Sequence, residues 1–166
     1  MRGNVPTQFL DAMVFLAGGL VSGTFTDSDA QGIDSDRSVP NGIGNGGCSN
    51  DVFEAITGLR GSSNNISSSS SASAVFAQVK KAIDSHLPIS AGTHGEDEEA
   101  LYTNTGVYAD HSYSVVGYKE EGGKQYVQLR NPWGESEPAG DGKNDGIFFL
   151  KLDDFMKLYE TVMTVR

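Results

Sequence analysis

Apolar residues are spaced differently on the two sides of Pro88. Between residues 75 and 83 they recur every three or four positions, which predicts a helix that ends before the proline. After Pro88 the period is two, in residues 89–93, in residues 111–118 and again in residues 125–130, which predicts strands. A glycine-containing turn joins the last two of these strands into a hairpin.

Shorter elements complete the predicted order. A first helix is expected to end near Ala17, ahead of a long polar loop. The other predicted elements are a short helix at 51–56, a flexible serine-rich loop at 62–73, a strand at 146–152, a helix at 154–159 and a strand at 160–165. A few helices with several antiparallel strands predict an α+β domain.

Composition and charge narrow the possible function classes. The chain has 166 residues, enough for one domain with a core, and a formal net charge of -10 with an isoelectric point near 4.6. Such an acidic balance argues against nucleic acid as a partner, because phosphates attract basic surfaces. No apolar stretch is long enough to span a membrane. We therefore expect a soluble protein, either cytoplasmic or secreted or cell-surface after processing.

A histidine and an asparagine are predicted to meet at the open end of the hairpin. His111 opens its first strand and Asn131 closes its second, 131 − 111 = 20 residues later. An imidazolium lowers the pKa of a neighbouring thiol, and a carboxamide oxygen can accept the other ring N–H and fix the ring's orientation. Trp133 can shield that hydrogen bond from water. This pattern suits a cysteine peptidase in which His111 acts as base and then as acid.

Several segments resemble the calpain family of cysteine peptidases. Residues 111–115, HSYSV, are similar to the family's histidine motif GHAYSV, and residues 129–134, LRNPWG, match its asparagine motif without a change. Residues 145–155, DGIFFLKLDDF, resemble DGEFWMSxxDF, and residues 54–58, EAITG, resemble EALTG. The two unchanged or nearly unchanged motifs are those that carry His111 and Asn131.

The resemblance is strongest in residues 88–165, and it implies that residues 1–166 form part of a calpain-like catalytic domain. The implied fold is that of papain-like cysteine peptidases. It corresponds mainly to the antiparallel, β-rich subdomain with a few short helices. In the family this subdomain bears the histidine and the asparagine, whereas the nucleophilic cysteine lies on another subdomain.

The nucleophile expected from the resemblance is missing. The family's cysteine motif, QGxxGDCW, is absent, and the single cysteine, Cys48, lies only 111 − 48 = 63 residues before His111. We interpret Cys48 as a bystander. Residues 8–17 and the Gly pair that follows are similar to a later helix of the family, so we expect the chain to begin after the nucleophile subdomain. The expected partner is a cysteine-bearing N-terminal fragment or subdomain of the same protease.

Three explanations for the missing cysteine stay open: a product of proteolytic processing, an expressed subdomain, or a degenerate relative. We favour the first two, in which the chain supplies His111 and Asn131 to an endopeptidase that acts on proteins or peptides. The rival hypothesis is a non-catalytic module that binds peptides or regulates a partner. A third interpretation makes Cys48 the nucleophile after a large rearrangement.

The resemblance also implies a calcium site. Calpain cores bind calcium in the loop after the asparagine motif and at the following DGE. Glu137 and Asp145 match ligand positions, and Asp141 is a candidate third ligand. Ile147 replaces the glutamate of DGE, and the loss of one carboxylate is expected to weaken or abolish binding. The alternative, that these are ordinary surface carboxylates, stays open.

Overall fold

A computed structural model of the chain describes residues 49–138 and 142–166. The predicted first helix, Cys48 and Asp141 lie outside the described residues. The described elements, in chain order, are helix α1 (Ser49–Thr57), strand β1 (Gly61–Asn65), helix α2 (Ala72–Asp84), strand β2 (Ile89–Thr93), a 3₁₀ helix (Glu96–Tyr102), strands β3 (Ser112–Glu121), β4 (Lys124–Arg130) and β5 (Ile147–Lys151), helix α3 (Leu152–Leu158) and strand β6 (Tyr159–Val165).

The six strands form a single antiparallel sheet in the order β1-β6-β2-β3-β4-β5. β3, β4 and β5 follow one another as a meander, whereas β6 returns from the end of the chain to lie between β1 and β2. Helices and antiparallel strands together make an α+β fold, as the sequence predicts. None of the helices within the described ranges combines the length and the hydropathy that crossing a bilayer requires.

Helix α2 covers one face of the sheet. Its start is capped by Ser71, whose hydroxyl accepts a hydrogen bond from the backbone N–H of Ala74. The apolar stripe of the helix, which includes Val75, Phe76 and Val79, is buried against the sheet. Because each such side chain contributes about 1.5–3 kcal/mol on burial, this face anchors the helix.

The predicted flexible loop at residues 62–73 differs from the structure at both ends. Residues 62–65 belong to β1, an edge strand, and the last residues of the range start α2. Serine and asparagine are poor strand formers, so the strand depends on its backbone pairing with β6. The acidic segment after His94 contains the 3₁₀ helix.

The β3–β4 hairpin is confirmed and carries an irregularity. Its register shifts between Val115 and Gly117, which is a β-bulge that adds one residue to β3. Gly117 fits there because a Cβ atom at this position would lie 2.6 Å from the side-chain oxygen of Gln128. Bulges bend a strand and increase its twist, and this bend lies between the turn of the hairpin and its open end.

Candidate active site

His111 immediately precedes β3 and is held by the end of the neighbouring strand β2. Three hydrogen bonds join its backbone to Thr93: the N–H of Thr93 donates to the carbonyl of His111 (2.9 Å), the Thr93 hydroxyl donates to the same carbonyl (3.0 Å), and the N–H of His111 donates to the Thr93 hydroxyl (2.9 Å). Both residues are buried. The histidine backbone is therefore fixed by a partner across the sheet.

The loop that leads into His111 is also tied down. Asp110 adopts a left-handed conformation (φ 46°), and its N–H donates to the carbonyl of His94 at 2.7 Å. The N–H of Tyr108 donates to the hydroxyl of Tyr113 at 3.0 Å. Tyr113 is fully buried, and its ring meets the imidazole of His111 edge-on with 4.9 Å between the ring centres. These contacts limit how far the imidazole can move.

Asn131 immediately follows β4 and is completely buried. Its backbone N–H donates to the carbonyl of Gly146 at 2.8 Å, and its side-chain NH₂ group donates to the carbonyl of Ser136 at 3.0 Å. Its side-chain oxygen accepts the N–H of Trp133 at 3.2 Å. Because a backbone carbonyl only accepts and a backbone N–H only donates, these partners define which end of the carboxamide is oxygen.

The two side chains meet as the sequence predicts. Nε2 of His111 lies 3.0 Å from Oδ1 of Asn131. Since this oxygen can only accept, Nε2 carries the proton, and in the neutral ring Nδ1 is the basic nitrogen. No hydrogen bond to Nδ1 is formed by any of the residues that the structure describes. The pair thus presents one free ring nitrogen in a defined tautomer.

Two aromatic side chains cover the pair. The indole of Trp133 lies 4.4 Å from the imidazole of His111, and Tyr108 meets the indole at 4.8 Å, both measured between ring centres. Trp133 is 36% exposed and Tyr108 is 42% exposed, whereas His111 is only 6% exposed. The indole is therefore much more exposed than the imidazole against which it lies.

Burial sets the charge state of the imidazole. Desolvation lowers the pKa of His111, and the hydrogen bond to Asn131 and the negative charge of Asp110 oppose that shift. The desolvation effect is the largest of these. A neutral imidazole is therefore favoured at neutral pH, and it can take a proton from an incoming acidic group.

The loop after Asn131 supports the carboxamide through unusual backbone conformations. Ser136, whose carbonyl holds the carboxamide, has a positive φ of 63°, and its N–H donates to the side-chain oxygen of Asn144 at 2.8 Å. Gly146 also has a positive φ of 74°, and a Cβ atom there would lie 3.0 Å from the backbone nitrogen of Glu135. Only glycine fits this position without strain.

The candidate calcium ligands line a cavity to which neither His111 nor Asn131 contributes. Glu137 and Asp145 line one cavity of about 510 Å³ beside β4 and β5, together with Lys143. Oε2 of Glu137 is buried and has no hydrogen-bond partner among the described residues. Oδ1 of Asp145 accepts the N–H of Ile147 at 3.1 Å. Within residues 49–138 and 142–166, no three histidine, cysteine or acidic side chains come close enough to hold a metal.

Some residues of this site were missed in the sequence. Thr93 was assigned to a strand, but the strand's partner was not predicted, so its contact with His111 was not foreseen. Ser136 and Asn144 act through a loop conformation that has no sequence pattern of its own. The sequence placed Thr93 at the end of a predicted strand, but it gave no signal of which strand lies beside it.

A buried imidazole that donates to a carboxamide and keeps its second nitrogen free is the arrangement found in cysteine peptidases that pair histidine with asparagine. Comparison with protein families agrees. The model of the calpain family of cysteine proteases matches residues 43–143, more than half of the chain and a range that includes both members of the pair. The chain therefore belongs to the calpain family of cysteine proteases.

A curated relative supports the same assignment. A thiol protease from Porphyromonas gingivalis is 40% identical to this chain, in an alignment that covers 29% of the chain. The chain spans only 14% of the length of that relative.

Proposed function

We propose that this chain supplies the imidazole and the orienting carboxamide of a calpain-like cysteine endopeptidase, and that the nucleophilic thiol comes from a separate segment or chain. The observation that carries the proposal is the 3.0 Å contact between Nε2 of His111 and Oδ1 of Asn131, which leaves Nδ1 free. Membership of the calpain family supports it. The substrates that this chemistry implies are proteins or peptides.

In the first half of the proposed reaction, Nδ1 of His111 accepts the proton of the thiol, and the resulting thiolate attacks the carbonyl carbon of the scissile peptide bond. The tetrahedral intermediate then collapses. The C–N bond breaks, Nδ1–H gives its proton to the departing amine, and a thioester remains. The sulfur thus gains an acyl group, and the proton passes from the thiol to the amine.

In the second half, a water molecule hydrolyses the thioester. Nδ1 of His111 takes one proton from the water as its oxygen attacks, and it returns that proton to the sulfur as the carboxylic acid product leaves. Asn131 contributes by holding the ring in one tautomer through Oδ1. Trp133 contributes by keeping water away from that hydrogen bond, which would weaken in a high dielectric.

The proposal is tested by adding a cysteine-bearing segment of the same protease to the full chain and measuring cleavage of an unstructured protein. We expect cleavage by the complex, and a loss of about 10²–10⁴-fold in kcat for His111→Ala, because general acid–base catalysis contributes that much. The matched control is His86→Asn, which alters an exposed histidine with a positive φ of 55° that asparagine tolerates. The control should retain full activity.

Two results would contradict the proposal. One is unchanged turnover in the His111→Ala complex. The other is a complex that binds the unstructured protein tightly without cleaving it, which would support a peptide-binding or regulatory module instead. Cys48→Ser tests the interpretation in which Cys48 is the nucleophile. Turnover should be unchanged in this variant if the thiol comes from the added segment.

A second proposal concerns a divalent cation. Glu137 and Asp145 supply carboxylate oxygens to the same cavity, and the unpartnered buried oxygen of Glu137 favours a positively charged ligand there. Calcium prefers six to eight oxygen ligands, which backbone carbonyls and waters would have to complete. We propose that the chain binds calcium weakly at this cavity, and that the ion is not part of the proton transfers at His111.

A further inference from the structure

The last rung of the β2–β3 ladder is built differently from the others. Ala91 pairs with Tyr113 and Gly92 with Ser112, so the same register places Thr93 opposite His111. In a hydrogen-bonded pair of a regular antiparallel ladder, each residue donates its N–H to the other's carbonyl, whereas the pairs between them exchange no such bonds. Here the N–H of Thr93 donates to the carbonyl of His111, but the N–H of His111 donates to the hydroxyl of Thr93. A side chain thus replaces a backbone acceptor.

A second irregularity lies on the other side of β2. The pairing of β2 with β6 shifts register between Gly92 and Thr93, so that Gly92 pairs with Thr161 and Thr93 with Tyr159. The extra residue lies on β6, and a bulge of this kind disrupts the ladder locally. At the same point the Thr93 hydroxyl accepts the N–H of His111 and donates to the carbonyl of the same residue.

Thr93 is itself held on both sides. Before it, Gly92 lies in the sheet. After it, the N–H of His94 donates to the hydroxyl of Tyr102 at 2.8 Å, and that hydroxyl donates to the carbonyl of Leu158 at 2.6 Å. The backbone on both sides of Thr93 is therefore held in place, so the hydroxyl that contacts His111 projects from a fixed strand end.

We infer that Thr93 is a positioning residue, whose hydroxyl fixes the backbone of His111 and so sets the angle of the imidazole towards Asn131 and the incoming thiol. Thr93 does not touch the reacting atoms. Without its hydroxyl the buried N–H of His111 has no acceptor, and the backbone must shift to find one. This inference rests on the proposed function of His111.

The test compares Thr93→Val, which keeps the shape and removes the hydroxyl, with Thr93→Ser, which keeps the hydroxyl. In the complex with the cysteine-bearing segment, Thr93→Val should lower kcat by about 10–100-fold with little change in KM, because displacements of about 1 Å near a reacting group have effects of this size. Thr93→Ser should restore most of the activity. Equal losses in both variants would overturn the inference.

The matched control is Thr164→Val. Thr164 is also a buried threonine whose hydroxyl donates to a backbone carbonyl, that of Pro88 at 2.8 Å, and it pairs with Ile89 at the opposite end of β2. It loses a comparable hydrogen bond without touching His111, so its kcat should match that of the unaltered chain. A kcat loss as large as that of Thr93→Val would reduce the role of Thr93 to general stability, contrary to the inference.

A second measurement does not depend on catalysis. In the full chain, the ring ¹⁵N chemical shifts of His111 should report a proton on Nε2, and Thr93→Val should broaden or shift them while Thr164→Val leaves them unchanged. In the unaltered chain we expect a slowly exchanging hydroxyl proton of Thr93 that shows a nuclear Overhauser effect to the amide of His111. The absence of this signal would refute the hydrogen bond between them, even if Thr93→Val fails to fold.

The proposed function has its own test. If His111→Ala retains turnover, the proposed function fails, whatever the Thr93 spectra show.

Discussion

His111 and Asn131 are supported by two different kinds of structure. His111 is held by the sheet, through Thr93 on β2, and its ring meets the buried Tyr113. Asn131 is held by an irregular loop, through the carbonyls of Ser136 and Gly146. The histidine therefore shares the hydrophobic core of the domain, whereas the orientation of the asparagine depends on a few backbone groups with positive φ angles.

Because of this difference, variants on the two sides should affect stability and catalytic geometry to different degrees. Removing support from the histidine side also removes buried apolar contacts, so we expect the free energy of unfolding to fall sharply. Removing support from the asparagine side disturbs local geometry and few apolar contacts, so the carboxamide can lose its orientation while the domain stays folded. Variants on the histidine side should therefore lose stability, whereas variants on the asparagine side should lose the orientation of the carboxamide.

The largest effect is expected for Tyr113→Ala on the histidine side. The ring of Tyr113 is completely buried and packs edge-on against His111 and Phe148. Its removal should lower the free energy of unfolding by about 3–5 kcal/mol, as is typical of deleting a large aromatic side chain from a core. Urea denaturation followed by circular dichroism measures this loss.

Tyr108→Ala is the control for that variant, because Tyr108 is 42% exposed and also adjoins the pair. Its cost should stay below about 1 kcal/mol. If the two variants lose similar amounts of unfolding free energy, Tyr113 contributes no more to the core than the exposed Tyr108, and the histidine side is not part of the core.

An intermediate effect is expected for Gly146→Ala on the asparagine side. Alanine at a φ of 74° costs about 1–2 kcal/mol from backbone strain alone, and its Cβ would also press on the backbone of Gly134 at 3.1 Å. Because the carbonyl of Gly146 accepts the N–H of Asn131, the carboxamide should move as well. Urea denaturation measures the loss of stability, and the ring ¹⁵N shifts of His111 measure the movement of the carboxamide.

The matched control is Gly122→Ala in the β3–β4 turn, where φ is 60° but no atom lies within 4 Å of the added Cβ. It should show the strain cost without the clash and without any change at His111. If both alanine variants change the ring ¹⁵N shifts of His111 equally, the loop after Asn131 does not position the pair. The proposed difference between the histidine and asparagine sides would then be wrong.

The smallest effect is expected from calcium. With a dissociation constant of about 10⁻⁴–10⁻³ M, about 1 mM calcium would stabilise the chain by about 0.4–1.4 kcal/mol. Glu137→Gln should weaken binding, and Glu135→Gln, which alters an exposed neighbour outside the cavity, should not. Isothermal titration calorimetry checks both. An unchanged affinity in Glu137→Gln, or no binding by the unaltered chain, would argue against a cation at this cavity.

Much of this arrangement could be predicted from the sequence, for reasons visible at particular residues. The alternation in residues 89–93 predicted β2 with the bounds that the structure shows, and the hairpin placed His111 beside Asn131. Alternation identifies strands, however, and contains no information about their partners in the sheet. The contact between Thr93 and His111 depends on that pairing and on a bulge against β6, so it could not be foreseen.

The strand β1 could not be predicted from its own residues. Its sequence, GSSNN, is typical of a loop, and local propensity argues against a strand. Its backbone nevertheless pairs with β6 along its whole length, because tertiary pairing outweighs weak local preferences. The left-handed conformation of Ser136 is similar, since no local turn signal marks it and its N–H bonds to the side chain of Asn144 eight residues later.

The position of β6 has a consequence for biosynthesis. This strand, Tyr159–Val165, follows β1 and β2 in the chain and lies between them, so among the described strands β1 has no partner and β2 pairs only with β3 until it has left the ribosome. The register shift opposite Thr93 is formed with this same strand. A nascent chain that already contains His111 and Asn131 therefore still lacks the strand that completes the sheet beside Thr93, and the pair gains this support only after β6 is synthesised.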